Sequence, residues 1–319
     1  MVEYSRKDTE IILLLGCTAS GKTSASLELA QRLDAEIVSI DSMQVYRRMD
    51  IGTAKPSPEE LATVRHHLID VAEPSELFSV ARFVEMADQA IADIRARDRR
   101  ILALAGTPLY LMGLMHGMFD GPAADEDFRA KLRRRAEHEG TAVLHTELSK
   151  VDPDAAARIH PNDYKRIERA LEVWRLTGIP LSRQQRQWNA EALRYPTKIV
   201  GIRREKEDNS SRINTRVKQM IEAGLVDEVQ SLLAEPAGFG EQARQALGYA
   251  QIIRHLQDRS PLDDAVEQIK IQSRRLAKHQ RTWFRKFTTT RWVDVASDEP
   301  VASIADGLMR AISREGGAA

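Results

Sequence analysis

Residues 11–23 read Ile11-Ile12-Leu13-Leu14-Leu15-Gly16-Cys17-Thr18-Ala19-Ser20-Gly21-Lys22-Thr23, five apolar residues followed by G-x-x-x-x-G-K-T. An unbroken apolar run that stops at a glycine predicts a strand buried on both faces. The spacing after it predicts a phosphate-binding loop that opens a helix over Lys22–Leu33. Its glycines let the backbone wrap a phosphate chain, with successive N–H groups of Gly16, Cys17, Thr18, Ala19, Ser20 and Gly21 and the helix N-terminus facing the oxygens. Lys22 supplies the compensating charge, and the Thr23 hydroxyl is the expected ligand of Mg²⁺. An ordinary strand-to-helix turn has no need of Lys-Thr directly after the second glycine.

Outward from this stretch, strands are predicted at Glu36–Ile40, at His67–Val71 (a short one) and at Ile101–Ala105, with a helix over Val80–Ala96. Strands that alternate with helices and read as continuous apolar runs indicate a parallel sheet covered on both faces. From Asp125 to about Asn189 only helical patterns occur, rich in Arg, Glu, Ala and Leu. A strand then returns at Lys198–Ile202. The chain is mostly helical after Ser210, with a last strand at Trp292–Val295 and a final helix near Val301–Arg314. The expected architecture is α/β: a P-loop NTPase-like core with a parallel sheet (residues 1–120 and 196–319), interrupted by an all-α inserted domain (121–195).

Composition narrows the class. The 319 residues are 42% apolar and 29% charged, with 47 basic against 47 acidic side chains. This is an ordinary globular balance, and it excludes a disordered polyelectrolyte. A neutral total still leaves room for a one-signed face that meets nucleic acid. The single cysteine, Cys17, excludes a disulfide framework and a multi-cysteine metal site. The charged opening, Met1–Glu10, does not read as a signal peptide, and Leu109–Phe119 is too short an apolar stretch to cross a bilayer. A cytoplasmic monomer with no membrane contact is expected.

The chemistry is marked as much by what is missing. A P-loop ATPase places an acid at the end of an apolar strand to hold Mg²⁺, but Ile101–Ala105 runs into Gly106-Thr107. The acid that does end a strand is Asp41. Ligands of such sheets bind beyond the carboxyl ends of the strands, which puts Asp41 and Thr107 in the crevice of the P-loop. Asp41 reads as a general base or metal ligand, against the competing reading of a turn residue before Ser42. Between Lys270 and Arg291 lie eight basic residues and no acid. On a helical wheel Ile269, Leu276, Trp283 and Phe287 share one face, and Arg274, Lys278, Arg281 and Arg285 the other. A one-signed face of that kind is suited to a polyanion. The pattern over Asp163–Thr177 is weaker, with Ile167, Ala170, Leu171 and Trp174 on the apolar side and Lys165, Arg166 and Arg169 away from it. Arg212 and Arg216, one turn apart, add a basic pair, while His66 and His67 read as structural. Three readings fit at this point: a group transferase acting on RNA, a P-loop kinase of a small metabolite or nucleotide, and a non-catalytic, nucleotide-switched RNA-binding module.

The motifs GCTASGKT (16–23), DSMQVYRRMDIGTAKP (41–56), HHLID (66–70), GTPLY (106–110), HPND (160–163), RALEV (169–173), LGY (247–249) and LAKHQRTWFR (276–285) resemble the tRNA dimethylallyltransferase family, with matching spacing from about Ile11 to Trp292. The resemblance implies a P-loop that holds the diphosphate of dimethylallyl diphosphate, with Lys22, Arg216 and Arg274 about it. The implied acceptor is N6 of the adenosine at position 37, beside the tRNA anticodon. Asp41 matches the catalytic acid, and Thr107 the channel where amine and prenyl carbon meet. tRNA contacts carry over onto Asp41, Ser42, Met43, Gln44, Arg129, Lys165, Arg166, Ile167, Glu168, Arg169, Gln245, Ala246, Leu247, Gly248 and Tyr249, with Lys278 and Arg281 from the basic stripe. The helical insertion corresponds to the part that grips the anticodon stem-loop. Cys17 stands where proline is common, and Ala250 where Lys or Arg is usual.

Overall fold

The computed structural model describes residues 10–118, 121–184 and 193–313. The strand β1 (Ile11–Leu15) leads into α1 (Lys22–Leu33), followed by β2 (Ala35–Ile40), α2 (Pro58–Thr63), β3 (His66–His67), α3 (Val80–Ala96), β4 (Arg100–Ala105) and α4 (Pro108–His116). Five helices follow: α5 (Glu126–Glu139), α6 (Thr141–Val151), α7 (Pro153–Arg158), α8 (Tyr164–Thr177) and α9 (Leu181–Gln184). The chain then returns with β5 (Thr197–Arg203), α10 (Lys206–Glu222), α11 (Leu225–Ala234), α12 (Glu241–Arg244), α13 (Tyr249–Asp258), α14 (Leu262–Phe284), β6 (Arg291–Asp294) and α15 (Val301–Ser313). Two compact units result, residues 1–115 with 193–319, and residues 116–192. Residues 185–192 of the expected helical insertion, Phe119 and Arg314 lie outside the described residues.

In the first unit six strands form one sheet in the order β3-β2-β4-β1-β5-β6, and every pairing is parallel. Strand β1 is flanked by β4 (Leu14↔Leu104) and β5 (Leu15↔Gly201), and all five of its residues are buried. That explains why it carries no alternation. Its Ile12 and Leu14 side chains join Ala25, Leu29 and Leu33 of α1 and Ile304 and Leu308 of α15 in one core. The predicted strand at His67–Val71 is shorter and starts earlier, at His66. Leu68 (φ 66°) and Asp70 (φ 56°) take left-handed backbone, which ends extension. His67 Nε2 lies 2.7 Å from a Glu36 carboxylate oxygen that Arg97 also binds, and these partners pull the Glu36 carboxyl down to about 2.

The second unit packs Leu132, Leu144, Leu148, Ile167 and Leu171 into its own core. Here the expected apolar face of α8 needs correction. Trp174 is 39% exposed, whereas Glu172 is completely buried. The carboxylate of Glu172 accepts hydrogen bonds from Arg129 Nε (2.8 Å) and Nη2 (3.0 Å), from Arg169 Nη1 (2.6 Å) and from the Asp125 amide (2.9 Å). Burial pushes this carboxyl up, but the two guanidiniums more than offset it and hold it below the usual carboxylate range. Its contribution to stability is therefore present above about pH 4.5 and is lost as the pH falls below that. Removing one partner of a buried ion pair leaves a charge stranded. Arg129→Met is expected to cost about 3 kcal/mol of unfolding free energy near neutral pH. The measurement is denaturant unfolding followed in this unit, and a loss below ~1 kcal/mol would show that Glu172 does not depend on Arg129.

Candidate active site

Nothing in the P-loop sequence says which way its carbonyls turn. The structure shows that three consecutive ones are tied back by side chains from the β5–α10 region. Asn209 Nδ2 donates to Thr18 O (2.9 Å), Arg212 Nε to Ala19 O (3.1 Å) and Arg204 Nε to Ser20 O (2.8 Å). Ala19 and Gly21 adopt positive φ (62° and 88°), and Gly21 begins α1 without any side-chain cap. The first-turn amides of α1 are thus left for an anion, at the positive end of the helix dipole. Two loop amides are already taken: Thr18 N donates to Gln280 Oε1 (2.8 Å) and Ser20 N to Cys17 O (3.1 Å), so the cradle is left to Ala19 and to Gly21 with the first turn of α1.

Positive charge gathers at the same place. Lys22 donates to Ala105 O at the end of β4. Burial pulls its ammonium down to about 8, against the opposing pull of the Asp41 carboxylate. Arg216 reaches Thr18 Oγ1 at 3.4 Å, and its burial disfavours the cation there. Both charges sit where a polyanion would relieve them. Thr23 lines the cavity beside them.

Opposite the loop, Asp41 ends β2. Its Oδ1 accepts from the amides of Met43 (2.8 Å) and Gln44 (3.2 Å), so the competing turn reading is correct as far as it goes. That turn occupies one oxygen and orients the other. Oδ2 lies against Gly106, where a β-carbon would come within 2.6 Å of it. Gly106 and Thr107 donate their amides to Ile40 O at 3.0 and 2.9 Å, which holds the ends of β2 and β4 together. Thr107 Oγ1 accepts from Ser42 N (2.9 Å) and bonds Ser42 Oγ (3.1 Å). P-loop, Asp41, Ser42, Met43, Gln44, Thr107, Arg216, Gln245, Ala246, Leu247 and Gly248 line one cavity of about 890 Å³.

Several expected site residues are placed otherwise. Tyr249 is fully buried: its hydroxyl donates to Glu228 Oε1 at 2.5 Å and its ring lies where a Gly52 side chain would be, so it presents no surface to RNA. The Ile167 side chain is likewise core, at 0% exposure. Arg129 and Arg169 are committed to Glu172, and Glu168 to the Tyr164 hydroxyl (2.7 Å). Lys165 and Arg166 are exposed, and Arg166 pairs with Asp163 at 3.3 Å. Cys17 is buried and donates to Asn209 Oδ1 (3.4 Å), while burial raises its thiol above the usual range.

The basic stripe is split by rotation of α14. Its buried face runs through Ile269, Ser273, Ala277, Gln280 and Phe284, and Leu276 is 38% exposed. Arg274 binds Asn214 Oδ1 (2.6 Å) and Glu267 (3.4 Å), away from the P-loop. Arg281 turns inward to Asn209 Oδ1 (3.0 Å), and only Lys278 and Arg285 remain exposed as expected. Sequence reasoning missed Arg204, Asn209, Glu228 and Gln280. The carboxylate of Glu228 accepts from the amides of Asp50, Ile51 and Gly52, at 3.0, 2.8 and 3.3 Å, and so fixes a loop of the cavity wall.

A preorganised amide cradle beside a buried lysine, facing a carboxylate across one cavity, defines a P-loop enzyme built for group transfer from a polyphosphate. The chain belongs to the IPP transferase family, the tRNA dimethylallyltransferases, whose family model matches residues 44–287. It is 46% identical over 286 residues to the tRNA dimethylallyltransferase of Geobacter metallireducens (90% of this chain, 93% of that one). With the same enzyme of Geobacillus thermodenitrificans it shares 42% over 306 residues (95% and 96%). The crystal structure of a tRNA isopentenylpyrophosphate transferase from Bacillus halodurans superposes with a TM-score of 0.68 at 40% identity, covering 95% of this chain and 97% of that one. A eukaryotic dimethylallyltransferase acting on tRNA gives 0.73 at 28% identity, covering 89% and 73%. The P-loop NTPase-like α/β fold expected from the sequence is the fold of this family.

If the carbonyl tethers shape the cradle, cutting one should weaken anion binding even though no charged residue is replaced. Asn209→Leu is expected to weaken inorganic diphosphate binding about tenfold, since a buried carbonyl left unpaired costs about 1–3 kcal/mol. Titration calorimetry on the folded variant checks this, and wild-type affinity would show that the tether is dispensable.

Proposed function

We propose that this enzyme transfers a dimethylallyl group from dimethylallyl diphosphate to N6 of the adenosine at position 37 of tRNA. The observation that carries the reading is the meeting, in one cavity, of a P-loop cradle with Asp41 and Thr107 rather than with a strand-terminal acid on β4. Prenyl transfer needs a stabilised diphosphate leaving group and no activated water. The N6 lone pair attacks C1 of the prenyl group as the C1–O bond breaks. Diphosphate leaves onto the loop amides, Lys22 and Arg216, and the N6 proton passes to the Asp41 carboxylate. An exocyclic amine conjugated to its ring is a weak nucleophile, so a base at N6 helps as the new bond forms.

Thr23 and Asp41 offer a hydroxyl and a carboxylate to the cavity, and no group of three His, Cys, Asp or Glu side chains suited to a metal occurs among the described residues. That donor set suits Mg²⁺, which takes one or two protein oxygens and completes its shell with phosphate and water. When bound, the ion neutralises charge on the diphosphate. The target base lies in a stem-loop and must be flipped out to reach such a cavity. The helical unit, with Lys131, Arg133, Arg134, Lys165 and Arg166 exposed, is the part proposed to hold the phosphates of the anticodon stem-loop. No helix among the described residues is long and apolar enough to cross a membrane.

Incubation with labelled dimethylallyl diphosphate and either tRNA, AMP or ATP tests the reading. Label is expected only in tRNA, with stoichiometric diphosphate release and no ATP hydrolysis. Labelled AMP, or ATP turnover driven by a small acceptor, would overturn it. Asp41→Asn keeps the Oδ1 acceptor of the Met43 turn and removes the base. Its kcat is expected to fall by roughly 10²–10⁴ with KM values near wild type, and normal turnover would remove Asp41 from the chemistry. In the free enzyme, burial pulls the Lys22 ammonium down to about 8. Since the cation is the useful form, kcat/KM for the donor is expected to decline as pH rises through that value, and a profile flat to pH 10 would contradict it.

A further inference from the structure

Gln280 has no role in the reading above, yet its side chain is bonded to both walls of the reaction cavity. It is 5% exposed, on the buried face of α14. Its Oε1 accepts from Thr18 N in the P-loop (2.8 Å), and its Nε2 donates to Gly106 O at the end of β4 (2.7 Å). The two partners are 88 residues apart in the chain, 18 against 106, and Gln280 is 174 residues beyond the second. The orientation of the amide is unambiguous, because Thr18 N can only donate and Gly106 O can only accept.

Gly106 is no ordinary anchor. A β-carbon on it would come within 2.6 Å of Asp41 Oδ2, it shares Ile40 O with Thr107, and Lys22's acceptor, Ala105, is its neighbour. Among the described residues, the phosphate loop is joined to the acceptor wall by Lys22 to Ala105 O and by Gln280. Lys22 is charged and would turn to a diphosphate once one is bound, whereas the neutral amide of Gln280 has no such competitor. Resting on the proposed function, we infer that Gln280 is a positioning residue. Its amide holds the donor loop and the Asp41–Thr107 wall at a fixed separation, so that the prenyl carbon and the N6 amine meet in line when both substrates are bound. It lines the cavity, but both polar atoms of its amide are committed to Thr18 N and Gly106 O. Its effect is on alignment, where a displacement of about 1 Å is worth as much as 10² in rate.

The test uses the full-length enzyme, in single-turnover transfer to a tRNA transcript, alongside separate binding of inorganic diphosphate and of tRNA. Gln280→Met keeps the volume and removes both bonds. Gln280→Glu keeps the acceptor for Thr18 N and replaces the donor to Gly106 O with an oxygen. Melting curves set a temperature at which both variants are folded. Both are expected to transfer roughly 100-fold more slowly, with dissociation constants for diphosphate and tRNA within about threefold of wild type. A merely structural glutamine predicts lower melting temperatures with a wild-type rate in the folded enzyme, and that result overturns the inference. So does a rate loss matched by an equal loss of affinity, or a wild-type rate for Gln280→Glu. Failure of the wild-type enzyme itself to modify tRNA in the same assay would bring down the functional reading instead, and the inference with it.

Discussion

Three carbonyls held from outside decide how this site works. Thr18, Ala19 and Ser20 would otherwise be free to turn their oxygens toward the cavity, where they would repel a phosphate. Asn209, Arg212 and Arg204 hold those oxygens instead, and the loop amides without a protein partner are left for the ligand. The arrangement requires β5 and the start of α10 to lie beside β1, which the sheet order provides. A central strand paired on both edges is also why the loop has a rigid base. Preorganised dipoles need no reorganisation as charge develops on a leaving group, which is where such sites obtain most of their effect.

The acceptor wall rests on a second constraint of the same kind. The ends of β2 and β4 share the Ile40 carbonyl through two amides, and the Asp41 carboxylate occupies the space that a side chain at residue 106 would take. Glycine there is a steric condition for the carboxylate's position. Turn formation and catalysis do not compete at Asp41: one oxygen closes the turn and thereby aims the other.

Much of this was legible from residue order, and the boundary has a physical basis. Strand β1 is an unbroken apolar run and β2, β4 and β5 are largely apolar because their side chains are mostly buried, and G-x-x-x-x-G-K-T has few other uses. The errors cluster on polar residues buried by distant partners. Ser273 and Gln280 rotate α14 away from the face that hydropathy assigns, because a pattern of apolar side chains counts a buried glutamine as exposed. Glu172 does the same to α8, where the carboxylate goes inward with its arginines and Trp174 goes out. Tyr249 and Ile167, transferred from a family motif as RNA contacts, turn out to serve packing. A motif marks positions under constraint without saying whether the constraint is a ligand or a core. Nothing local in Arg204 or Asn209 signals their targets, which lie nearly two hundred residues away.

A crystal structure of the enzyme with inorganic diphosphate tests the central claim directly. The anion is expected on the amides of Ala19, Gly21, Lys22 and Thr23, with the Lys22 ammonium drawn to it and the Asn209, Arg212 and Arg204 contacts to the loop carbonyls intact. Diphosphate bound elsewhere, or a loop whose carbonyls have broken those contacts to admit it, would contradict a cradle set in advance of its ligand.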